Sequence, residues 1–175
     1  MSVKPRLVRA TGLDDFLLYR LSRLLGTAGT LVIRLCEGQY GITRREWRLL
    51  ELLLRHEPLP PSGLAELAQL DRARTSRALS SLVAKKLISR ATLSSDRRQA
   101  VLRLTEAGHR LCQSLLPQVR ALNLEMLEGL SADEVALLDG VMDRLQLRAS
   151  ALVEQHRDFP KANRRQGGRS RPALG

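Results

Sequence analysis

Aromatic residues are scarce: one Trp, two Tyr and two Phe make up 3% of the 175 residues. Readers of single-stranded RNA stack unpaired bases on aromatic side chains, and this chain has almost none to offer. Leucine and valine must therefore fill the interior. Cysteine is nearly absent too. Cys36 and Cys112 form no C-x-x-C and have no matched histidine spacing, so neither a zinc site nor a disulfide framework is indicated and no metal is expected. The three histidines, His56, His109 and His156, are scattered. No G-x-x-x-x-G-K-[ST], H-E-x-x-H or G-x-S-x-G occurs, so no catalytic residue and no cofactor is expected. No apolar run approaches the roughly 18 residues of a membrane span. Asp14 and Asp15 interrupt what could have been the apolar core of a signal peptide, and a cytoplasmic chain with reduced thiols is expected.

Positive charge, in contrast, is abundant. Lys and Arg total 29 against 18 Asp and Glu, a formal +11. That excess favours a polyanionic partner, either nucleic acid or an acidic membrane surface. Hydrophobic residues at 43% are enough to build a core for a chain of this length.

Helical periodicity dominates. From Asp14 to about Glu37, Leu17, Leu21, Leu24, Ala28, Leu31 and Leu35 recur at spacings of three and four, predicting one long helix ended by Gly38 and Gly41. Thr43 and Glu46 predict a capping box for a helix running through Trp47, Leu50 and Leu53 to about Arg55, before Pro58, Pro60 and Pro61 break the pattern. Ser62 is expected to cap a short helix from Gly63 to Gln69. Asp71 is expected to cap another from Arg72 to about Lys86. In this last helix Ala78, Leu79, Leu82 and Val83 form the side to be buried, and Arg74, Arg77 and Ser81 the opposite side.

The stretch SSDRRQAVLRLTEAG, Ser94 to Gly108, reads as a hairpin tip, a returning strand and a helix start at Thr105. In order, the middle of the chain is helix, tight turn, basic helix, strand, basic tip, strand. That is a winged helix-turn-helix from about Ser62 to Thr105. The basic helix is expected in the major groove, and the wing along the backbone or in the minor groove. The DNA-contacting set is Arg72, Arg74, Thr75, Ser76, Arg77 and Ser81 on the helix, Arg90 on the first wing strand, and Asp96, Arg97 and Arg98 at the tip. Arginines grip phosphates or guanine edges, and an arginine at a wing tip suits the negative potential of a narrow minor groove.

Thr105 begins a helix reaching about Glu128 despite Pro117, and Ser131 with Glu134 caps a final helix striped by Leu138, Val141, Leu145 and Leu152. The terminal helices have more apolar face than a small lobe can cover, so pairing with a second copy is expected. The fold class is mainly α with a small β-hairpin wing. The organisation is a basic N-terminal arm (1–13), a dimerisation helix (14–41), a winged helix-turn-helix lobe (42–105), C-terminal dimerisation helices (106–156) and a basic tail (157–175). The tail, with Arg157, Lys161, Arg164, Arg165, Arg169 and Arg171, could add phosphate contacts or serve as a solubilising end.

This order of elements resembles the MarR (multiple antibiotic resistance regulator) transcription factors over about Asp14 to Leu152. The resemblance rests on Thr75-Ser76-Arg77-Ala78-Leu79, on Asp96-Arg97-Arg98 followed by Val101-Leu102-Arg103-Leu104-Thr105-Glu106-Ala107-Gly108, similar to the family's D-x-R wing and L-T-x-x-G exit, and on Ser131-Ala132-Asp133-Glu134. It implies a homodimer with interlocked terminal helices, bound to double-stranded DNA at a pseudo-palindromic operator. It also implies a repressor released by a small aromatic or phenolic effector.

For that effector, Arg20, Arg23, Thr27, Thr30 and Arg34 form a polar row on the first helix, with Tyr19, Tyr40, Trp47 and His56 as neighbours. Arginine beside an aromatic wall can hold a small aromatic carboxylate. The opposing reading makes these arginines dimer ion pairs and Trp47 a core residue. Two other functions fit the composition: a nonspecific nucleic-acid-binding or nucleoid-structuring protein, and a redox-sensing regulator using Cys36, which lies near several arginines.

Overall fold

The computed structural model describes residues 5–93 and 96–160; the side chains of 92–99 lie outside that description, as do Ser94, Ser95 and the tail from Lys161 onward. The chain divides into two compact units, residues 1–126 and 127–175.

In the first unit a 3-10 turn at Leu13–Asp15 precedes α1 (Leu17–Ile33), which runs on into a π-helical turn at Arg34–Gln39. The expected single helix is thus wider at its end than an α-helix, and Gly38 lies inside it instead of ending it. Gly41 is the terminator, with φ 62°, a left-handed conformation that glycine adopts without a Cβ penalty. The turn buries Leu35 and Cys36, while Leu24 and Leu31 on the expected apolar face stay exposed in the single chain.

Thr43 closes a full capping box with Glu46 at the start of α2 (Arg44–His56), as expected from the Thr-x-x-Glu spacing. Its inner side, Trp47, Leu49, Leu50 and Leu53, forms the centre of the lobe's core. The next helix, α3 (Pro61–Leu67), begins two residues earlier than expected. Pro60 is its N-cap and Pro61 its first residue, so Ser62 sits inside the helix and does not cap it. Proline's fixed φ and missing N–H suit that first position, which outweighs the serine signal.

Asp71 caps α4 (Arg72–Ala84), its side chain accepting from Arg74 N at 2.8 Å. Ala78, Leu79 and Leu82 are buried, each such leucine contributing roughly 1.5–3 kcal/mol of transfer free energy. Val83 is 38% exposed, so the buried side is narrower than the sequence pattern indicated. Two left-handed residues, Gln69 at φ 51° before α4 and Lys86 at φ 57° after it, make the turns that bring α4 against α3 and then into the wing.

The wing is an antiparallel pair, β1 (Ile88–Leu93) and β2 (Asp96–Leu104), in register Ile88↔Leu104, Arg90↔Leu102 and Thr92↔Ala100, with Leu93↔Asp96 at the tip. Asp96 is therefore the first strand residue, and a register shift between Thr92 and Leu93 places Arg97 and Arg98 in the irregular part of β2. Leu59 adds a third backbone pairing by exchanging hydrogen bonds with Leu102, at 2.8 and 3.3 Å.

At the wing's exit, the Leu-Thr-x-x-Gly run has a physical explanation. Thr105 N donates to Leu87 O at 3.0 Å and Thr105 Oγ1 to Lys86 O at 2.7 Å, while Gly108 N donates to Thr105 Oγ1 at 3.1 Å. Threonine thereby fastens the start of α5 (Glu106–Leu127) to the segment that follows α4. Gly108 lies against the Leu87 carbonyl, where a Cβ would meet the oxygen well inside van der Waals contact and the carbon at 3.2 Å.

In the second unit, Ser131 and Glu134 form a capping box at the head of α6 (Ala132–Gln155). No residue of α6 is buried, and Leu137, Leu138, Met142, Leu147, Leu152 and Val153 are all exposed. Among the described residues, no helix is long and apolar enough to cross a membrane.

Candidate nucleic-acid interface

The α4 helix presents a cationic side because its leucines are committed to the core. Arg72, Ser76 and Arg77 are exposed on it. Arg72 and Ser76 border a cavity of about 360 Å³ with Pro61 and Ser62 of α3, and Arg90 reaches the same cavity from β1. Helix-turn-helix and wing thus contribute guanidinium groups to one surface.

Other members of the expected set are placed differently. Arg74 is paired with Asp71, Nε to Oδ2 3.0 Å, across the helix start. Thr75 is only 2% exposed and its hydroxyl donates to Asp71 O at 3.0 Å, which ties down the first turn and leaves no hydroxyl proton for a phosphate. Ser81 is half-buried beside the Glu46 carboxylate, whose pKa it helps to lower. Thr75 and Ser81 lie on the sides of α4 that pack on neighbouring elements, away from exposed Arg72, Ser76 and Arg77. Asp96, Arg97 and Arg98 follow the tip on β2, and their side chains lie outside the described residues.

Behind the surface sits a buried carboxylate that sequence reasoning treated only as a cap. Glu46 accepts from Thr43 N at 2.7 Å and from Lys85 Nζ at 2.9 and 3.0 Å, and Lys85 Nζ also donates to Gly41 O at 2.8 Å. Burial works to raise the Glu46 pKa, but hydrogen bonds from Ser81, Lys85 and the Thr43 backbone, with the Lys85 charge, hold it below its ordinary value. Glu46 and Lys85 are 39 residues apart, a separation with no local sequence signal.

The expected effector constellation does not assemble. Tyr19, Arg20 and Arg23 stay together on α1, where Arg23 lies 6.0 Å over the Tyr19 ring and pairs with Asp14 at 2.9 Å. Arg20 and Arg23 line a cavity of about 570 Å³ with Arg6, Asp14, Leu24 and Thr27. Trp47 is instead buried in the lobe core, Tyr40 accepts a hydrogen bond from Gln118, and His56 is exposed in the last turn of α2. None of these three borders the α1 cavity.

Both thiols are fully buried. Burial, aided by Glu37 and opposed by Arg44, pushes the Cys36 pKa up, and burial with Glu51 and Glu57 pushes Cys112 up to about 11. A redox sensor needs an accessible, low-pKa thiolate, so this environment counts against the redox reading of Cys36.

The MarR family model matches residues 40–99, which is α2 through the wing tip. The uncharacterized HTH-type transcriptional regulator YdgJ of Bacillus subtilis (strain 168) is 31% identical over 110 residues, 63% of this chain and 67% of that protein. The chain belongs to the MarR family. A probable transcriptional regulator from Pseudomonas aeruginosa shares 27% identity over 77% of this chain and 99% of that one, with a TM-score of 0.66. A mutant MarR from E. coli, solved in complex with operator DNA, shares 25% over 73% and 94% of the two chains, with a TM-score of 0.61. This MarR-family protein is accordingly a DNA-binding transcriptional regulator with the winged-helix fold, and not an enzyme.

Proposed function

We propose that this regulator is a repressor that binds a pseudo-palindromic operator as a homodimer and is released by a small aromatic carboxylate or phenol. The observation that carries the DNA reading is the exposed cationic side of α4, with Arg72, Ser76 and Arg77, beside Arg90 of the wing. Arg77 reads the major-groove core, Arg72 and Arg90 hold phosphates, and Arg98, oriented by Asp96, enters the flanking minor groove. The operator-bound MarR mutant supports duplex DNA as the partner.

In this reading 42–105 is the DNA-binding lobe, and the helices of 14–41 and 106–156 dimerise. Exposed Leu18, Leu24 and Leu25 of α1, Leu124 of α5 and the apolar residues of α6 support a second copy as their cover. For the effector, Arg20 and Arg23 supply a charged fork at the α1 cavity, with the Tyr19 ring 6.0 Å from the Arg23 guanidinium, and an incoming carboxylate would compete with Asp14 for Arg23. To release DNA it must favour the DNA-incompetent arrangement.

Selection of duplexes from a random pool, followed by footprinting, tests the reading. A two-fold symmetric site with half-sites about 10 base pairs apart is expected, bound by a species that sediments as a dimer at micromolar concentration. An asymmetric site bound equally well in random sequence supports the nonspecific alternative. Screening aromatic acids for operator release, with Arg20→Ala as the control, tests the effector site.

A further inference from the structure

The Glu46–Lys85 pair joins three parts of the first unit that the chain itself keeps far apart. Lys85 is the C-cap of α4, immediately after the helix that carries Arg77. Its ammonium reaches both oxygens of Glu46, the capping residue of α2, and the carbonyl of Gly41, the left-handed residue that ends the first helix. Ser81, one turn earlier on α4, lies beside the same carboxylate and helps hold its pKa down. Glu46 is only 2% exposed, so the pair is shielded on the carboxylate side and its partners have little water to exchange for one another.

Geometrically this is a clasp. At the C-terminal end of α4, Lys85 N and Lys86 N stay within the helix's own turn and Leu87 N closes on Leu82 O, while Thr105 holds Lys86 O and Leu87 O to the start of α5; the Lys85 side chain is what ties this end to α2 and the Gly41 turn. Core leucines resist separation of α4 from α2, but they are nondirectional and permit small rotations. Three directed bonds from one ammonium, ending on two different elements, resist rotation as well.

We propose that Lys85, with Glu46, is a positioning residue for operator recognition: it sets the orientation of α4 against α2 and the Gly41 turn, and so couples the end of the first helix to the DNA-reading surface. The proposal rests on α4 being the recognition helix. Lys85 need not touch DNA for it to hold. Ser81 then belongs to the clasp and not to the DNA-contacting set.

The test compares Lys85→Met, Glu46→Gln, the double variant and Lys85→Arg with the parent, all on the full chain. Affinity is measured on the selected operator and on random duplex at fixed salt, after denaturant curves establish folding. Glu46→Gln is decisive because it removes a negative charge, which electrostatics alone would turn into tighter binding to DNA. The clasp predicts the opposite. Operator affinity should fall about five- to ten-fold, or about 1–1.4 kcal/mol, in either single variant, with random-duplex affinity little changed. The double variant should be no worse than the singles, and Lys85→Arg should recover most of the loss.

Operator binding by Glu46→Gln as tight as the parent's, or additive losses in the double variant, would overturn the proposal. If a single variant fails to fold, the folded double variant and Lys85→Arg carry the test. Arg77→Ala in the same series separates the two readings. A loss with Arg77→Ala but none with Glu46→Gln refutes the clasp alone, and no loss with Arg77→Ala refutes the recognition helix beneath it.

Discussion

Replacing Gly108 by alanine should destabilise the protein, although in an ordinary helix the same change stabilises. An interior Gly→Ala gains about 1 kcal/mol from helix propensity alone. At Gly108 the added Cβ would sit 3.2 Å from the Leu87 carbonyl carbon and closer still to its oxygen. The obstacle is backbone and cannot rotate away. Either α5 or the segment after α4 must shift, at the roughly 1–3 kcal/mol typical of overpacking. A shift also weakens the bonds from Thr105 to Leu87 O and Lys86 O, each worth about 1 kcal/mol. Set against the propensity gain, the net cost is about 2–3 kcal/mol, a large share of the 5–15 kcal/mol typical of a folded domain. Urea denaturation at one fixed protein concentration measures it, the concentration being held because a dimer's stability depends on it. Thr105→Ala, which removes the hydroxyl's bonds to Lys86 O and Gly108 N without the clash and keeps the backbone bond to Leu87 O, should cost about 1–2 kcal/mol. A Gly108→Ala protein as stable as the parent would refute the explanation of the Leu-Thr-x-x-Gly run.

Acid should loosen the lobe through Glu46. Its folded-state pKa is held below the ordinary 4.5, so its contribution is complete above that value and is lost as pH falls through the lower, folded one. Denaturation midpoints of parent and Glu46→Gln should therefore converge below about pH 4.5, and a gap that is constant with pH would count against it. Cys36 and Cys112, buried and with raised pKa, should alkylate in the native protein only as fast as it opens, and mild peroxide should leave operator binding unchanged; rapid labelling of Cys36 at neutral pH would reopen the redox reading. Arg98→Ala should cost about 1–3 kcal/mol of operator binding and erase a preference for A·T-rich flanks while sparing the core, and Asp96→Ala should be a milder version. Equal binding by Arg98→Ala to every operator would refute the wing's assigned role.

What could be read from the sequence was local. The Thr43–Glu46 and Ser131–Glu134 boxes, the Asp71 cap and the wing's two strands each depend on residues a few positions apart, and each is present. Ser62 misled because Pro61 decided the helix start by its fixed φ. Thr75 is buried, Ser81 half-buried and Val83 exposed, which the helical period did not show because it assigns sides without knowing which neighbours pack on them. The expected effector residues are divided between elements, Tyr19, Arg20 and Arg23 sharing α1. Trp47 and His56 belong to α2, and no spacing rule shows that the lobe core takes the tryptophan. The Glu46–Lys85 contact had no sequence signal, since a capping glutamate looks the same whether or not a lysine 39 residues later covers it.

The central claim is that α4 reads duplex DNA through Arg77, and affinity of the parent and Arg77→Ala across duplexes with altered cores and altered flanks, at fixed salt, tests it most directly. Arg77→Ala should lose about 1–3 kcal/mol on the selected core and bind altered cores almost equally well, while keeping the parent's response to the flanks. Retention of the parent's affinity and core preference by a folded Arg77→Ala protein would contradict the account.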